Sequence, residues 1–145
     1  MGRWPGRDER PQVILVDTSV WIDYFNGKNN LHTDSLDAAL TEGIVAIADL
    51  ILLEVLQGFK TDKDFKRAKT TLGTLEQYEM YGRQAAQACA DNYRALRRKG
   101  ITIRGTADVI IATFCIEHQL PLLFSDRDFL PFIEQLGLTS ALLET

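Results

Sequence analysis

The sequence predicts an α/β fold, an α/β/α sandwich in which helices cover both faces of a central parallel sheet of about four to five strands. Two observations carry this reading. Three apolar runs, "VILV" at Val13 to Val16, "IVAIA" at Ile44 to Ala48 and "LPLLF" at Leu120 to Phe124, lack the alternation of a half-exposed strand. Each therefore reads as a strand buried on both faces. Segments of helical period separate the runs, and strands alternating with helices imply βαβ units.

Along the chain, residues 1–12 hold three Arg, two Pro and two Gly before any periodicity and read as a flexible tail ahead of a single domain at 13–145. After the first strand, Ser19 to Phe25 reads as a short helix, with Asn26 and Gly27 supplying a left-handed stop. "LHTDSLDAALTEG" spaces Leu31, Leu36, Ala39 and Leu40 for a helix closed by Gly43. The second strand leads to Asp49, placed to cap the helix "LILLEVLQGF". An amphipathic helix with a basic face follows in "DKDFKRAKTTLGTL", then a connector or edge strand at Leu75 to Met80, and a longer helix stopped by Gly100. Thr106 is placed to cap "ADVIIATFCIEH", and "SDRDFLPFIEQLGL" turns into a last short helix after the third strand. "TSALLE" offers a further edge strand.

A chain of 145 residues buries roughly two-thirds of its unfolded surface, so the core needs no disulfide or structural metal. Cys89 and Cys115 lie in apolar helical patterns and read as buried reduced thiols, which suits a cytoplasmic protein. No apolar run reaches membrane-spanning length, and the N-terminus lacks a signal-peptide core. The net charge of −4 disfavours broad nucleic-acid binding while leaving room for a local basic patch.

Four carboxylates carry the chemical signal. In an open parallel sheet, ligands bind beyond the carboxyl ends of the strands, and Asp17 and Asp126 sit just past the first and third apolar runs. Asp108 falls in the first turn of its helix, where the helix dipole also favours a negative charge. Each of these three has a plain structural alternative as a cap or turn residue. Glu54 lies mid-helix among Ile51, Leu53, Val55 and Leu56, where no capping role exists. Carboxylates gathered in one crevice hold protons or a cation, and an all-oxygen set without His or Cys selects Mg²⁺ or Mn²⁺. His32 and His118 fall on helix surfaces away from the strand ends, which argues against zinc.

"VDTSVWIDYF", "LLEVLQGF", "TADVIIATFCIEHQLPLL" and "FSDRDF", in this order, resemble a PIN-domain ribonuclease and more narrowly a VapC-type toxin of a bacterial toxin-antitoxin pair. The resemblance covers nearly all of the chain from Val13 onward. It implies catalytic, metal-holding roles for Asp17, Glu54, Asp108 and Asp126, with Asp17 and Asp108 as the most direct ligands. It also implies supporting roles for the Thr18 and Ser19 hydroxyls and for Asp128, which could equally cap the following helix. The implied reaction is Mg²⁺- or Mn²⁺-dependent endonucleolytic hydrolysis of RNA, leaving a 5′-phosphate and a 3′-hydroxyl. The implied partners are a VapB-type antitoxin, a second copy of the chain as a homodimer, and a toxin-antitoxin hetero-oligomer. An antitoxin segment would lie on an apolar surface including Trp21, Phe25, Leu56 and Phe59.

RNA needs positive charge at the rim of such a site. Two clusters offer it: Lys60, Lys63, Lys66, Arg67 and Lys69, and Arg94, Arg97, Arg98, Lys99 and Arg104, with Arg104 nearest in sequence to Asp108. Both also fit ordinary solvated helix faces. Trp21 and Tyr24 could stack on bases or serve as core aromatics. The competing readings are a catalytically silent PIN-like binding module and a metal-dependent phosphatase. An Asp-nucleophile phosphatase of the haloacid-dehalogenase kind wants a second Asp two residues after the first, where this chain has Ser19.

Overall fold

A computed structural model describes residues 12–142. Apart from Gln12, the tail read at 1–12 lies outside the described residues. The elements run β1 (Ile14–Val16), α1 (Thr18–Phe25), α2 (Leu31–Glu42), β2 (Val45–Ala48), α3 (Asp49–Gln57), α4 (Asp62–Gly73), β3 (Glu76–Tyr78), α5 (Arg83–Arg98), α6 (Thr106–Glu117), β4 (Leu122–Leu123), a 3-10 turn (Arg127–Phe129) and α7 (Leu130–Leu136).

The four strands are all parallel, in the order β3-β2-β1-β4. Leu15 pairs with Ala46 on one side and Leu122 on the other. Every residue of β1, β2 and β4 is buried, which is why these strands carry no polar alternation. The edge strand β3 leaves Glu76 and Gln77 exposed. The chain travels outward from β1 through β2 to β3, then returns to place β4 on the opposite side of β1. Right-handed crossovers therefore put α1–α4 on one face and α5 and α6 on the other. That reversal opens a crevice beyond the carboxyl ends of β1 and β4.

The third apolar run pairs over only two residues. Pro121 has no N–H to give the ladder, although its carbonyl accepts from the Leu15 N–H at 3.0 Å. The C-terminal segment adds an isolated parallel bridge, Ser140 to Leu122, flanked by two 2.9 Å backbone bonds through Thr139 and Ala141. It is a short fragment of the expected edge strand.

Four local expectations need correction. At the end of α1, Asn26 keeps φ −83°, and Gly27 alone takes the left-handed value, +78°. Asp49 is the first residue of α3, with Ala48 in the capping position. Thr106 is likewise the first residue of α6, with Gly105 in the capping position. Trp21 is fully buried, stacked on Phe25 at 5.8 Å with its indole N–H unpartnered, so it offers no surface to a base or to an antitoxin segment. Both cysteines are buried free thiols, and burial pushes Cys115 up to about 12, with the charge of Asp17 adding to the shift. Among the described residues, no helix is long and apolar enough to cross a membrane.

Candidate active site

Asp17 leaves β1 directly into α1. Its N–H donates to the Leu123 carbonyl at 2.8 Å, which ties the end of β1 to the end of β4, three residues before Asp126. The residue stands in the capping position of α1, yet its side chain makes no capping hydrogen bond. The carboxylate is only 5% exposed and accepts instead from the Ser19 hydroxyl at 2.9 Å. Burial raises its pKa and the charge of Glu54 adds to the rise, against the opposing pull of the Ser19 hydroxyl and the Thr18 and Ser19 amides. Ser19 spends its one proton on Asp17, so the Ser125 hydroxyl, 3.4 Å away, is the donor in the contact between them.

Glu54 comes from the face of α3 that packs toward α1 and is partly buried. The Thr18 hydroxyl donates to Glu54 Oε1 at 2.6 Å, which fixes one oxygen and leaves the other available. The sequence offered Glu54 no capping duty, and the structure gives it none.

Asp108, in the first turn of α6, is the electrostatic focus. Its pKa is raised to about 7, first by burial and then by the charges of Asp17, Asp126, Asp128 and Glu54. The other three expected acids and Asp128 therefore all act on Asp108. Asp108, Asp126 and Asp128 each bring a carboxylate oxygen within 4.8 Å of the other two. Asp126 also performs the turn role open to it in the sequence, since its Oδ1 accepts from the Asp128 N–H at 2.9 Å. The capping role weighed for Asp128 is not realised, because Phe129 stands in the capping position of α7.

No cation balances these groups among the described residues, where the ion pair is Lys28 to Asp23 at 3.4 Å. Like charges about 4 Å apart repel by about 4 kcal/mol at an effective dielectric near 20, so a positive ion would relieve the crowding around Asp108. Oxygen donors without His or thiolate fit a hard divalent ion. The compact trio includes Asp128, for which the resemblance implied only a supporting role. Asp17 faces the trio from the end of the neighbouring strand.

Two residues were missed from sequence. Gly105 precedes α6, and a Cβ there would meet Asp108 Oδ2 at 3.2 Å, so the missing side chain makes room for the carboxylate. Ser125 extends the Ser19 hydroxyl contact; its only signal was its place beside Asp126. Arg104, Arg98 and Lys60, the expected RNA contacts, are all exposed.

The chain is 29% identical to Ribonuclease VapC11 of Mycobacterium tuberculosis over 119 residues, 81% of this chain and 89% of that protein. A VapC ribonuclease of Mycobacterium bovis matches equally. Among solved structures, a toxin-antitoxin complex from Klebsiella pneumoniae is 25% identical at TM-score 0.59, covering 88% of this chain and 97% of that one. VapBC2 from Rickettsia felis, bound to a promoter DNA fragment, shares the fold at TM-score 0.71 and 18% identity, covering 89% and 97%. The family model described as the PIN domain matches residues 14–132, from the first residue of β1 into α7 and across every carboxylate of the site, and the chain belongs to the PIN-domain family.

Proposed function

We propose that the chain is a VapC-type endoribonuclease toxin that hydrolyses RNA phosphodiester bonds at the acidic cluster with Mg²⁺ or Mn²⁺. The observation that carries this reading is the convergence of Asp17, Glu54, Asp126 and Asp128 on Asp108 without a balancing cation among the described residues. Asp108, Asp126 and Asp17 would hold the ion, with Asp128 beside them. When bound, such an ion lowers the pKa of water and screens charge on phosphate oxygens. Ser19 orients the Asp17 carboxylate. Thr18 holds one Glu54 oxygen, so the other can orient the attacking water. Water adds across the P–O3′ bond, its oxygen going to phosphorus and a proton to the leaving O3′.

The partner in this reading is a VapB-type antitoxin, supported by the toxin-antitoxin complexes among the structural neighbours; the homodimer belongs to the same reading through the family resemblance alone. Purified protein, freed of partner, is incubated with total cellular RNA, with Mg²⁺ or Mn²⁺ and with EDTA, beside Asp17→Ala, and the new 5′ ends are sequenced. Discrete metal-dependent cuts absent from the variant are expected. Absence of cleavage, with metal binding confirmed separately, would return the chain to the silent binding module or the metal-dependent phosphatase.

A further inference from the structure

Two adjoining grooves run along the seam between α5 and α6, one of about 560 Å³ and one of about 350 Å³. They share Tyr81, Cys89 and Ile110. Ala85, Ala88 and Phe114 line the larger, which sets small side chains beside an aromatic ring. None of the five carboxylates of the site lines either groove, so the grooves are separate from the acidic crevice. Their occupant is therefore something other than the metal.

Tyr81 stands 62% exposed on the loop between β3 and α5, where it borders both grooves. It is a large projecting ring set beside two hollows. Within the larger groove, Phe114 and His118 are already stacked at 4.0 Å, and Phe114 also meets Tyr78 at 5.8 Å. A further ring can join such a patch by offset stacking or edge contact.

Charge selects among the occupants. Glu79 and Glu117 flank the larger groove beside Arg83, and Arg94 flanks the smaller. An RNA strand would meet two acids there, and a strongly charged peptide of either sign would meet its own charge. A second copy of the chain brings the same mixed set, and a two-fold axis can place its acids against these bases and its bases against these acids. Size agrees with this occupant. Fourteen residues line the larger groove and ten the smaller, three of them in common, close to the roughly 20 to 30 residues that each partner brings to a stable interface. We propose that this face of α5 and α6 is the homodimer interface, with Tyr81 of each copy seated in the larger groove of the other, against Ala88 and Phe114. The inference rests on the homodimer of the proposed reading and names its face.

The full chain, freed of partner, is sized by light scattering and sedimentation over a concentration series. Tyr81→Asp puts a charge on the inserted side chain, and Ala88→Arg fills the groove that receives it. Leu31→Arg, at an exposed apolar residue on α2, is the comparison. Circular dichroism melts establish which variants are folded, and where one of the first two is not, the other decides. The parent should be a dimer. Tyr81→Asp and Ala88→Arg should each raise the dissociation constant of that dimer by about 100-fold or more, because an aromatic anchor or its pocket is lost twice across the two-fold axis. Leu31→Arg should leave it unchanged. A dimeric parent whose folded Tyr81 and Ala88 variants stay equally dimeric overturns this face and moves the homodimer to another surface. Dissociation by Leu31→Arg to the same extent overturns it as well. A monomeric parent overturns both the face and the homodimer and leaves the grooves to a different ligand. Cleavage of total cellular RNA by the parent is scored in parallel, so that loss of the ribonuclease reading is seen apart from loss of the face.

Discussion

Asp17 and Asp49 stand at the same kind of junction, each following a buried parallel strand and leading into a helix, and the fold uses them in opposite ways. Asp49 is exposed, and its Oδ1 accepts from the Leu50 N–H at 2.8 Å and the Met80 N–H at 3.1 Å, so the carboxylate joins the start of α3 to the chain beyond the edge strand. Asp17 is buried, its side chain caps nothing, and it faces other carboxylates. The difference follows from sheet order. β2 lies beside the edge strand, where the neighbouring loop supplies an amide, whereas β1 lies at the reversal point, where β4 and its loop supply more acid. One carboxylate bridges two amides of the scaffold; the other is held by the Ser19 hydroxyl and faces other acids.

Exchanging the charge at each junction gives the largest separation. Asp17→Asn should lower RNA cleavage by about 100- to 1,000-fold, the scale of removing one strong electrostatic contact to a transition state, while raising the melting temperature of the metal-free chain. Asp49→Asn, which keeps the accepting oxygen, should leave the rate of the folded protein unchanged. Parallel RNA-cleavage assays and thermal melts decide this, and equal rates for the two variants would erase the distinction. Thr18→Val removes the hydroxyl that holds Glu54 and should cost about 10- to 100-fold in rate, with Thr18→Ser restoring most of it. If Thr18→Val leaves cleavage intact, that hydrogen bond is structural only.

Asp49→Ala tests the other junction. It strips the acceptor from two amides and should cost about 1–3 kcal/mol of stability in urea denaturation, with normal cleavage by the molecules that remain folded. The smallest effect is a pH slope. Asp108 is raised to about 7 from an ordinary value of 3.8, and Asp17 is raised too, so the folded chain binds more protons than the unfolded one between these values. Stability from this source is complete below pH 4 and is lost as pH rises through 7. Melting temperatures in EDTA should fall over that range, Asp108→Asn should flatten the fall, and Mg²⁺ should oppose it. A metal-free melting temperature that rises from pH 5 to 7 would contradict the crowded-carboxylate account.

Much of this was legible because burial leaves a period in the sequence. β1 and β2 showed as apolar runs without alternation, and Glu54 stood out because a mid-helix acid among aliphatic residues has no local use. What periodicity without the family resemblance could not separate was Asp17 from Asp49, since both follow an apolar strand and differ in the order of strands. Gly105 and Ser125 were invisible because their roles depend on distances to Asp108 and Ser19 across the fold. Trp21 is the core aromatic that the sequence allowed, and it fails only as part of an antitoxin surface, because the indole is buried while Tyr24 and Phe25 on the same helix are partly exposed. Asp128 gained importance only when the turn after β4 brought it against Asp108.

The pairing of β1 with β4 has a consequence for how the molecule comes into being. Leu15 is made early and Leu122 late, yet they are neighbours in the sheet, and this long closure delays the pairing relative to the local helices. A chain still emerging from the ribosome carries Asp17, Glu54 and Asp108 before Asp126 and Asp128 exist. Until β4 docks, the carboxylate trio is missing two of its three members. Newly made protein therefore stays inert through most of its synthesis and acquires the proposed hydrolytic centre only when the last strand closes the sheet.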